Sequence, residues 1–447
     1  MHYGTGGRKS RFRVSAARRE ALRLLGKKGE LELDTDRGLA GLEPRDRALA
    51  REIVAGTLRN RSRLDFCLSG LLREKPESLP PPVLDVLRMS AYQLLYLDRI
   101  PAYAVVSDAV ELAKDSGVAG VVNGVLRNLA RRSEEPEIPR SAGDPVGWLA
   151  LNYSHPRWLV ERYVQAWGEE FTQGLLAANN LKAPLVLRDD SADPAAGKLQ
   201  RRLQAQGIDC RAGRYAPEAV VIERQDLNPA ELPGYPEGLF YVQDEAAILV
   251  GRLAVSPSAK RIVDFCAAPG GKITHLARLA AGPTLLVACD KSRRRLARLR
   301  ENVTRLALDD LFTVVAEARA PAVGPCDLVL CDVPCTGTGV IRRKPELRWR
   351  IAPSDLVSLS ELQAEIIEAA AGCVRPGGVL VYSTCSVERE ENRLVVDRFL
   401  AAHPEFCLED AARYLPAEVV TEGCLTTFPN LHGTDGAFAA RLVKRQP

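Results

Sequence analysis

The sequence has no apolar run long enough to cross a bilayer, no CxxC or HxxxH pair, no low-complexity tract and no repeat at a fixed period. Each absence removes a class. A membrane span needs roughly 20 apolar residues in a row, so no membrane partner is expected. A structural zinc site needs paired thiol or imidazole ligands; the nearest pair, Cys331 and Cys335, has no second pair to complete a tetrahedral set, and no metal is expected. No basic start leads into an apolar stretch at the amino terminus, which points away from secretion and towards the cytosol. The eleven cysteines are odd in number and scattered through a long chain, which suits reduced thiols better than a disulfide framework.

What is present is a chain of 447 residues, 46% hydrophobic and 26% charged, long enough for two or three globular domains. The formal net charge of +4 is mild but uneven. Residues 8–19 contain Arg8, Lys9, Arg11, Arg13, Arg18 and Arg19, residues 291–300 read KSRRRLARLR, and residues 342–350 read RRKPELRWR. One such run is ordinarily a solvated face; several together favour a polyanionic partner.

From residue 14 to about 130 the pattern is helical. Leu84, Leu87, Ala91, Leu94 and Leu95 form one apolar stripe, similar stripes occupy 44–60 and 104–115, and Pro101 breaks the chain between two of them. Residues 1–140 are therefore expected to form an all-α domain with a basic amino-terminal arm. The charged, proline-bearing segment 131–145 reads as a linker. Residues 141–235 add a small α+β module, with a helix at about 155–178 and short strand-like runs APLVLRDD and AVVIERQ. From 236 to 447 the runs RIVDF, TLLVACD, FTVVAE, DLVLCDV and VLVYSTC alternate with helical patterns, the rhythm of an α/β domain with a doubly wound parallel sheet. The final run GAFAARLVK follows a turn and can pair antiparallel at an edge.

Ligands of such sheets bind beyond the carboxyl ends of the strands. In VDFCAAPGGKITHLARLAAG, 263–282, a strand ends at Phe265, and a loop with Pro269, Gly270 and Gly271 leads into a helix. Glycines there let a ligand approach the helix's positive end, although a tight strand-to-helix turn needs them too. The next strand ends in Asp290, where a carboxylate can accept both hydroxyls of a ribose. The loop is neither GxGxxG nor a Walker motif, so an adenosine cofactor without a pyrophosphate fits best. Glu317 ends the third strand, to bind adenine or to face solvent. Lys272 opens the helix, where a cation opposes the dipole, so a functional role is favoured.

The fourth strand runs into LCDVPCTGTG, 330–339, and the fifth into VYSTCSVEREEN, 381–392. Asp332, Cys335 and Cys385 should therefore converge. Either cysteine alone reads as a packed apolar residue. Both at strand ends beside a glycine loop are more than packing requires.

The series FCAAPGGKITH, VACDKS, CDVPCTGTGVIRRKPELRW, VYSTCSVEREEN and HGTDGAFAARL, spanning about 240 to 445, closely resembles the RNA cytosine-5 methyltransferases named for Nol1, Nop2 and Sun. The segments RDRALAREIVAGTLRN, LRMSAYQLLYLDRIPAYAVVSDAVELAK and VVNGVLRNLAR look like the NusB-type RNA-binding domain that precedes the catalytic domain in bacterial enzymes acting on 16S ribosomal RNA. The resemblance implies a Rossmann-like class I S-adenosylmethionine methyltransferase domain behind an all-α NusB-like domain, with 16S ribosomal RNA as partner and no obligate protein partner. It implies that Cys385 is the thiolate that adds to cytosine C6, that Cys335 assists its release, and that Asp332 bonds the base edge. Lys272 is the group to lower the thiol's pKa. S-adenosylmethionine would be held by Cys266, Ala267, Ala268, Pro269, Gly270, Gly271, Lys272, Asp290, Glu317 and Asp332. Glu317 stands where an aspartate is usual, Thr336 where serine is common and Ala437 where phenylalanine is frequent.

The target base must be single-stranded or flipped out. Arg342, Arg343, Lys344, Arg348 and Trp349 follow the Cys335 loop, a mixture suited to gripping a backbone and stacking a base, or to a solvated loop with one core tryptophan. His155 and His432 read as structural. Two rival readings are a non-catalytic RNA-binding factor, which would need neither thiol, and a DNA cytosine-5 methyltransferase, whose chemistry uses one thiol in a Pro-Cys loop.

Overall fold

The computed structural model describes residues 14–446 apart from 28–38, 40, 133–134, 141–142, 192–196, 225–226 and 322. Arg8, Lys9, Arg11 and Arg13 of the expected arm lie outside the described residues. The chain divides into two units, Met1–Leu176 with Lys344–Trp349, and Ala177–Arg343 with Arg350–Pro447. Among the described residues no helix is long and apolar enough to cross a membrane.

The first unit is helical: α1 (Ala16–Leu25), α2 (Pro44–Arg59), α3 (Arg61–Ser69), α4 (Pro81–Tyr96), α5 (Ala102–Leu112), α6 (Ala119–Ala130), α7 (Pro145–Asn152) and most of α8 (Arg157–Asn180). Proline opens α2, α4 and α7, where its missing N–H costs nothing. The expected stripe holds: Leu84, Leu87 and Ala91 are buried, and Leu94 and Leu95 pack against the cluster that contains Leu87 and Ala91. Close packing of α2 on α4 requires Gly56, because a Cβ there would stand 1.9 Å from Tyr92 Cζ. Arg18 is no part of an exposed arm. It is buried on α1 and donates to Gln93 Oε1 and Asp108 Oδ2, both at 2.7 Å.

The second unit begins with β1 (Leu185–Asp189), α9 (Lys198–Ala205), β2 (Cys210–Ala212), β3 (Ala219–Ile222) and β4 (Phe240–Val242), an antiparallel sheet of order β2-β3-β1-β4. The small module therefore extends beyond the expected boundary at 235, because β4 pairs with β1.

There follow α10 (Glu245–Leu253), β5 (Arg261–Asp264), α11 (Gly271–Leu279), β6 (Leu285–Asp290), α12 (Arg293–Arg305), β7 (Leu311–Val315), β8 (Cys326–Asp332), α13 (Leu347–Arg350), α14 (Pro353–Gly372) and β9 (Val374–Thr384). The chain closes with α15 (Arg393–Ala402), β10 (Phe406–Glu409), β11 (Val420–Thr421), β12 (Cys424–Thr427), α16 (Pro429–His432) and β13 (Ala437–Lys444). The order is β11-β12-β13-β9-β8-β5-β6-β7, parallel from β7 to β9. Alternate residues feed two apolar layers: Ile262, Leu328 and Leu330 join one cluster, Val263, Val329 and Cys331 the other. β13 is antiparallel to β9 as expected but is no edge strand, since β12 and β10 pair with it.

From β5 the chain winds outward to β6 and β7, then returns to β8 and β9 on the other side. The order reverses between β5 and β8, the place where a crevice opens at the strands' carboxyl ends.

Candidate active site

β5 ends at Asp264, one residue before the expected Phe265. Asp264 is fully buried and accepts from Cys266 N–H at 3.2 Å. Burial and the neighbouring Asp332 push its carboxyl up to about 8, against the pull of Lys272. Beyond it, two loop carbonyls are taken: Ala268 accepts from Arg295, and Pro269 from Tyr241 Oη at 3.2 Å. Gly270 has φ +109°, a conformation in which a Cβ is strained, and it would meet Leu299 Cγ at 3.0 Å. α11 then starts at Gly271.

Asp290 ends β6 and is buried. Its Oδ1 accepts from Ser292 N–H at 2.8 Å, whereas Oδ2 accepts no hydrogen bond from a described residue and lies 3.4 Å from Arg295 Nη1. A buried acceptor left in this way calls for donors, and the two hydroxyls of an adenosine ribose supply them. The residues at this edge thus fit an adenosine cofactor. Glu317 lies two residues beyond the end of β7, half-buried and 3.6 Å from Arg319 Nε.

In the neighbouring strands, Asp332 of β8 is in register with Ser383 of β9. Ser383 Oγ donates to Asp332 Oδ1 at 2.9 Å, and Lys272 Nζ to Asp332 Oδ2 at 2.7 Å. Burial opposes the Lys272 ammonium, but Asp332, Cys385 and Asp264 outweigh it and hold it above its ordinary pKa. Cys335 Sγ lies 3.3 Å from Cys385 Sγ. That hydrogen bond, with burial, pushes the Cys335 thiol well up. The sequence expectation that Asp332, Cys335 and Cys385 meet is fulfilled, with Lys272 among them.

A buried frame that the sequence did not disclose holds the two cysteine loops. Glu391, fully buried, accepts from Thr336 N–H at 2.8 Å, from the Thr336 hydroxyl and from Gln363 Nε2 at 3.0 Å; Gln363 Nε2 also donates to Pro334 O at 2.8 Å. Asn392 Nδ2 donates to Ser386 O at 2.9 Å, and Thr338 Oγ1 accepts from Val387 N–H at 3.1 Å. Gly339 N–H bonds Cys385 O at 3.0 Å and Gly339 O accepts from Gly436 N–H at 2.9 Å. A Cβ on Gly339 would be 2.2 Å from Gly436 O and 2.8 Å from Cys385 O. The backbone carrying Cys385 thus demands both glycines. Thr336 in place of serine changes nothing here, because the hydroxyl is what Glu391 binds.

The expected RNA lip is largely structural. Arg342 and Arg343 form a buried ion cluster with Asp244 and Asp435: Arg342 Nε lies 2.6 Å from Asp435, and Arg343 Nη2 lies 2.6 Å from Asp244. Arg348 and Trp349 belong to the helical unit. Arg348 is fully buried, donates to Ser154 O at 3.1 Å, and is drawn by burial and by Arg59 down to about 9. Trp349 Nε1 donates to Leu58 O at 2.6 Å, and the Arg61 guanidinium lies 5.1 Å from its ring. Of the five, Lys344 alone is exposed. His155 is buried, its Nδ1 2.7 Å from Tyr153 O, and His432 Nδ1 accepts from Phe428 N–H at 2.9 Å; both are structural.

Residues 253–443 match the family described as 16S rRNA methyltransferase RsmB/F, residues 15–131 the NusB family, and residues 155–227 the ferredoxin-like domain of RsmF/B-like methyltransferases. The chain is 34% identical over 442 residues to the ribosomal RNA small subunit methyltransferase B of Pseudomonas syringae pv. tomato, covering 97% of this chain and 96% of that one. It is 34% identical over 417 residues to the probable ribosomal RNA small subunit methyltransferase B of Bacillus subtilis, covering 90% and 92%. The crystal structure of PH0851 superposes with a TM-score of 0.80 at 27% identity, over 95% of this chain and 97% of that one.

Proposed function

Because the chain belongs to the RsmB/F family of 16S ribosomal RNA methyltransferases, we propose that it methylates C5 of a cytosine in 16S ribosomal RNA through a covalent bond between Cys385 and C6. The coarser activity, S-adenosylmethionine-dependent methylation of small-subunit ribosomal RNA, comes with the family.

Cytosine C5 is a weak carbon nucleophile. Addition of a thiolate at C6 makes the ring enamine-like and places electron density on C5. Bound S-adenosylmethionine supplies the electrophilic methyl. The glycine loop from Cys266 to Lys272, Asp290 and Glu317 would hold it. Cys385 is the nucleophile, Lys272 stabilises its thiolate, and Asp332, oriented by Ser383 and Lys272, bonds the base edge. After transfer, the C5–H bond breaks, its proton passing to a base, the C5=C6 bond reforms, and the C6–S electron pair returns to Cys385. The protonated Cys335 assists by donating to the departing sulfur. The target base must enter unstacked, so a single-stranded or flipped cytosine is the substrate.

The observation that carries this reading is the 3.3 Å contact between the two sulfurs. Packing alone does not ask for two thiols at adjacent strand ends beside a Lys-Asp pair. The test is nucleoside analysis and bisulfite sequencing of 16S ribosomal RNA from cells with and without the protein. A 5-methylcytidine present only with the protein is expected. A methyl on ribose, on an exocyclic nitrogen or on uridine would overturn the proposal.

A further inference from the structure

Arg188, on β1, is fully buried although it carries a charge. A guanidinium has five N–H groups, and each finds an acceptor. Nε donates to Asp190 Oδ1 at 2.6 Å; Nη2 donates to Asp190 Oδ2 at 2.8 Å and to Thr274 Oγ1 at 3.1 Å; Nη1 donates to Gln243 Oε1 at 2.6 Å and to the carbonyl of Gly271. No donor is to spare. Any shift of the first turn of α11 would strand a buried N–H of a charged group, which is costly.

The small sheet holds the loop at further points. Tyr241 of β4 donates to Pro269 O at 3.2 Å and lies with its ring centroid 5.1 Å from the Arg188 guanidinium. A Cβ at Gly271 would meet Gln243 Nε2 at 3.2 Å and Tyr241 Cε1 at 3.3 Å, so the end of this sheet is packed directly on the loop. Gly271 is also bonded through its peptide to Lys272, whose ammonium holds Asp332. What fixes Gly271 therefore fixes the cofactor loop.

We infer that Arg188 is a positioning residue for cofactor binding, and that the small antiparallel sheet is part of the cofactor site: Arg188 clamps Gly271 and Thr274, and Tyr241 clamps Pro269. This rests on the reading that the loop from Cys266 to Lys272 holds S-adenosylmethionine.

The test is calorimetric titration of the full-length chain with S-adenosylmethionine in the absence of RNA, for the wild type, Arg188→Lys and Tyr241→Phe. Arg188→Lys keeps the charge but has too few donors. Tyr241→Phe keeps the ring and removes one hydroxyl. The dissociation constant is expected to rise tenfold or more in Arg188→Lys and severalfold in Tyr241→Phe. RNA affinity should be unchanged in both, and kcat at saturating cofactor should recover most of the wild-type value. If Arg188→Lys does not fold, Tyr241→Phe decides. Wild-type cofactor affinity in a folded variant overturns the inference. No binding by the wild type overturns the cofactor reading beneath it, and the inference with it.

Discussion

Cys335 and Cys385 stand 50 residues apart in the chain, yet their sulfurs are 3.3 Å apart, because β8 and β9 are parallel neighbours and each sulfur follows a strand end. The hydrogen bond to Cys385, with burial, pushes the Cys335 thiol well above its ordinary pKa. The proposed roles of nucleophile and release assistant thus fall to two sulfurs within hydrogen-bond distance of each other.

The consequence is a qualitative difference between the two alanine variants. Cys385→Ala removes the nucleophile and is expected to lower methylation by at least about a thousandfold, with no adduct. Cys335→Ala leaves addition intact but removes the donor that stabilises the departing thiolate, so a protein-RNA species should survive denaturing electrophoresis. Turnover retained in the first variant, or no adduct in the second, contradicts the assignment.

Glu391 is expected to matter as much to the site as to stability. Glu391→Ala leaves the Thr336 N–H, the Thr336 hydroxyl and Gln363 Nε2 facing a void, at a cost of about 3 kcal/mol in urea unfolding. It also frees the loop that presents Cys335. A misplacement of about 1 Å at a reacting group costs on the order of a hundredfold in rate, so turnover should fall by far more than the folded fraction does. Equal losses of both would mean that the frame is only structural.

The five parallel strands were legible because their apolar runs feed two buried layers, a pattern independent of distant partners. β10, β11 and β12 were not. They are two to four residues long, so periodicity has too few residues to register, and the partner of β10 lies far along the chain. The same gap made β13 look like an edge. In the site, residues whose chemistry is unusual at a strand end announced themselves: Asp332, Cys335, Cys385, Asp290. Glu391 did not, since a buried carboxylate within EREEN reads like a solvated one. The arginines of 342–350 misled for a related reason. Asp435 lies 93 residues from Arg342 and Ser154 lies 194 from Arg348, so local sequence cannot tell an ion-paired arginine from one offered to phosphate.

Exposure predicts opposite behaviour within one segment. Lys344→Ala removes an exposed cation and should weaken RNA binding whatever the sequence, flattening the slope of log affinity against log salt by about one unit. Arg348→Met should leave the slope unchanged and instead cost about 1–3 kcal/mol of stability in the helical unit, because Ser154 O loses its donor. A changed slope in Arg348→Met would mean that its burial is relieved when RNA binds.

Asp264 sets a pH dependence whose sign is fixed by its surroundings. Its carboxyl is pushed up to about 8, foremost by burial and then by Asp332, so near neutrality the folded chain keeps a proton that the unfolded chain has lost. Stability from this group is fully present below the ordinary carboxylate range and is lost as pH rises towards about 8, at a limiting slope of about 1.4 kcal/mol per pH unit. Asp264→Asn is uncharged at every pH and retains an oxygen to accept from Cys266 N–H. Urea unfolding of the cofactor-free protein between about pH 6 and about pH 8 should show the wild type losing roughly 2 kcal/mol relative to the variant. The difference between the two profiles, rather than either alone, isolates Asp264 from the other titrating groups. Parallel profiles would mean that Asp264 is already ionised in the folded chain, with Lys272 shared between it and Asp332.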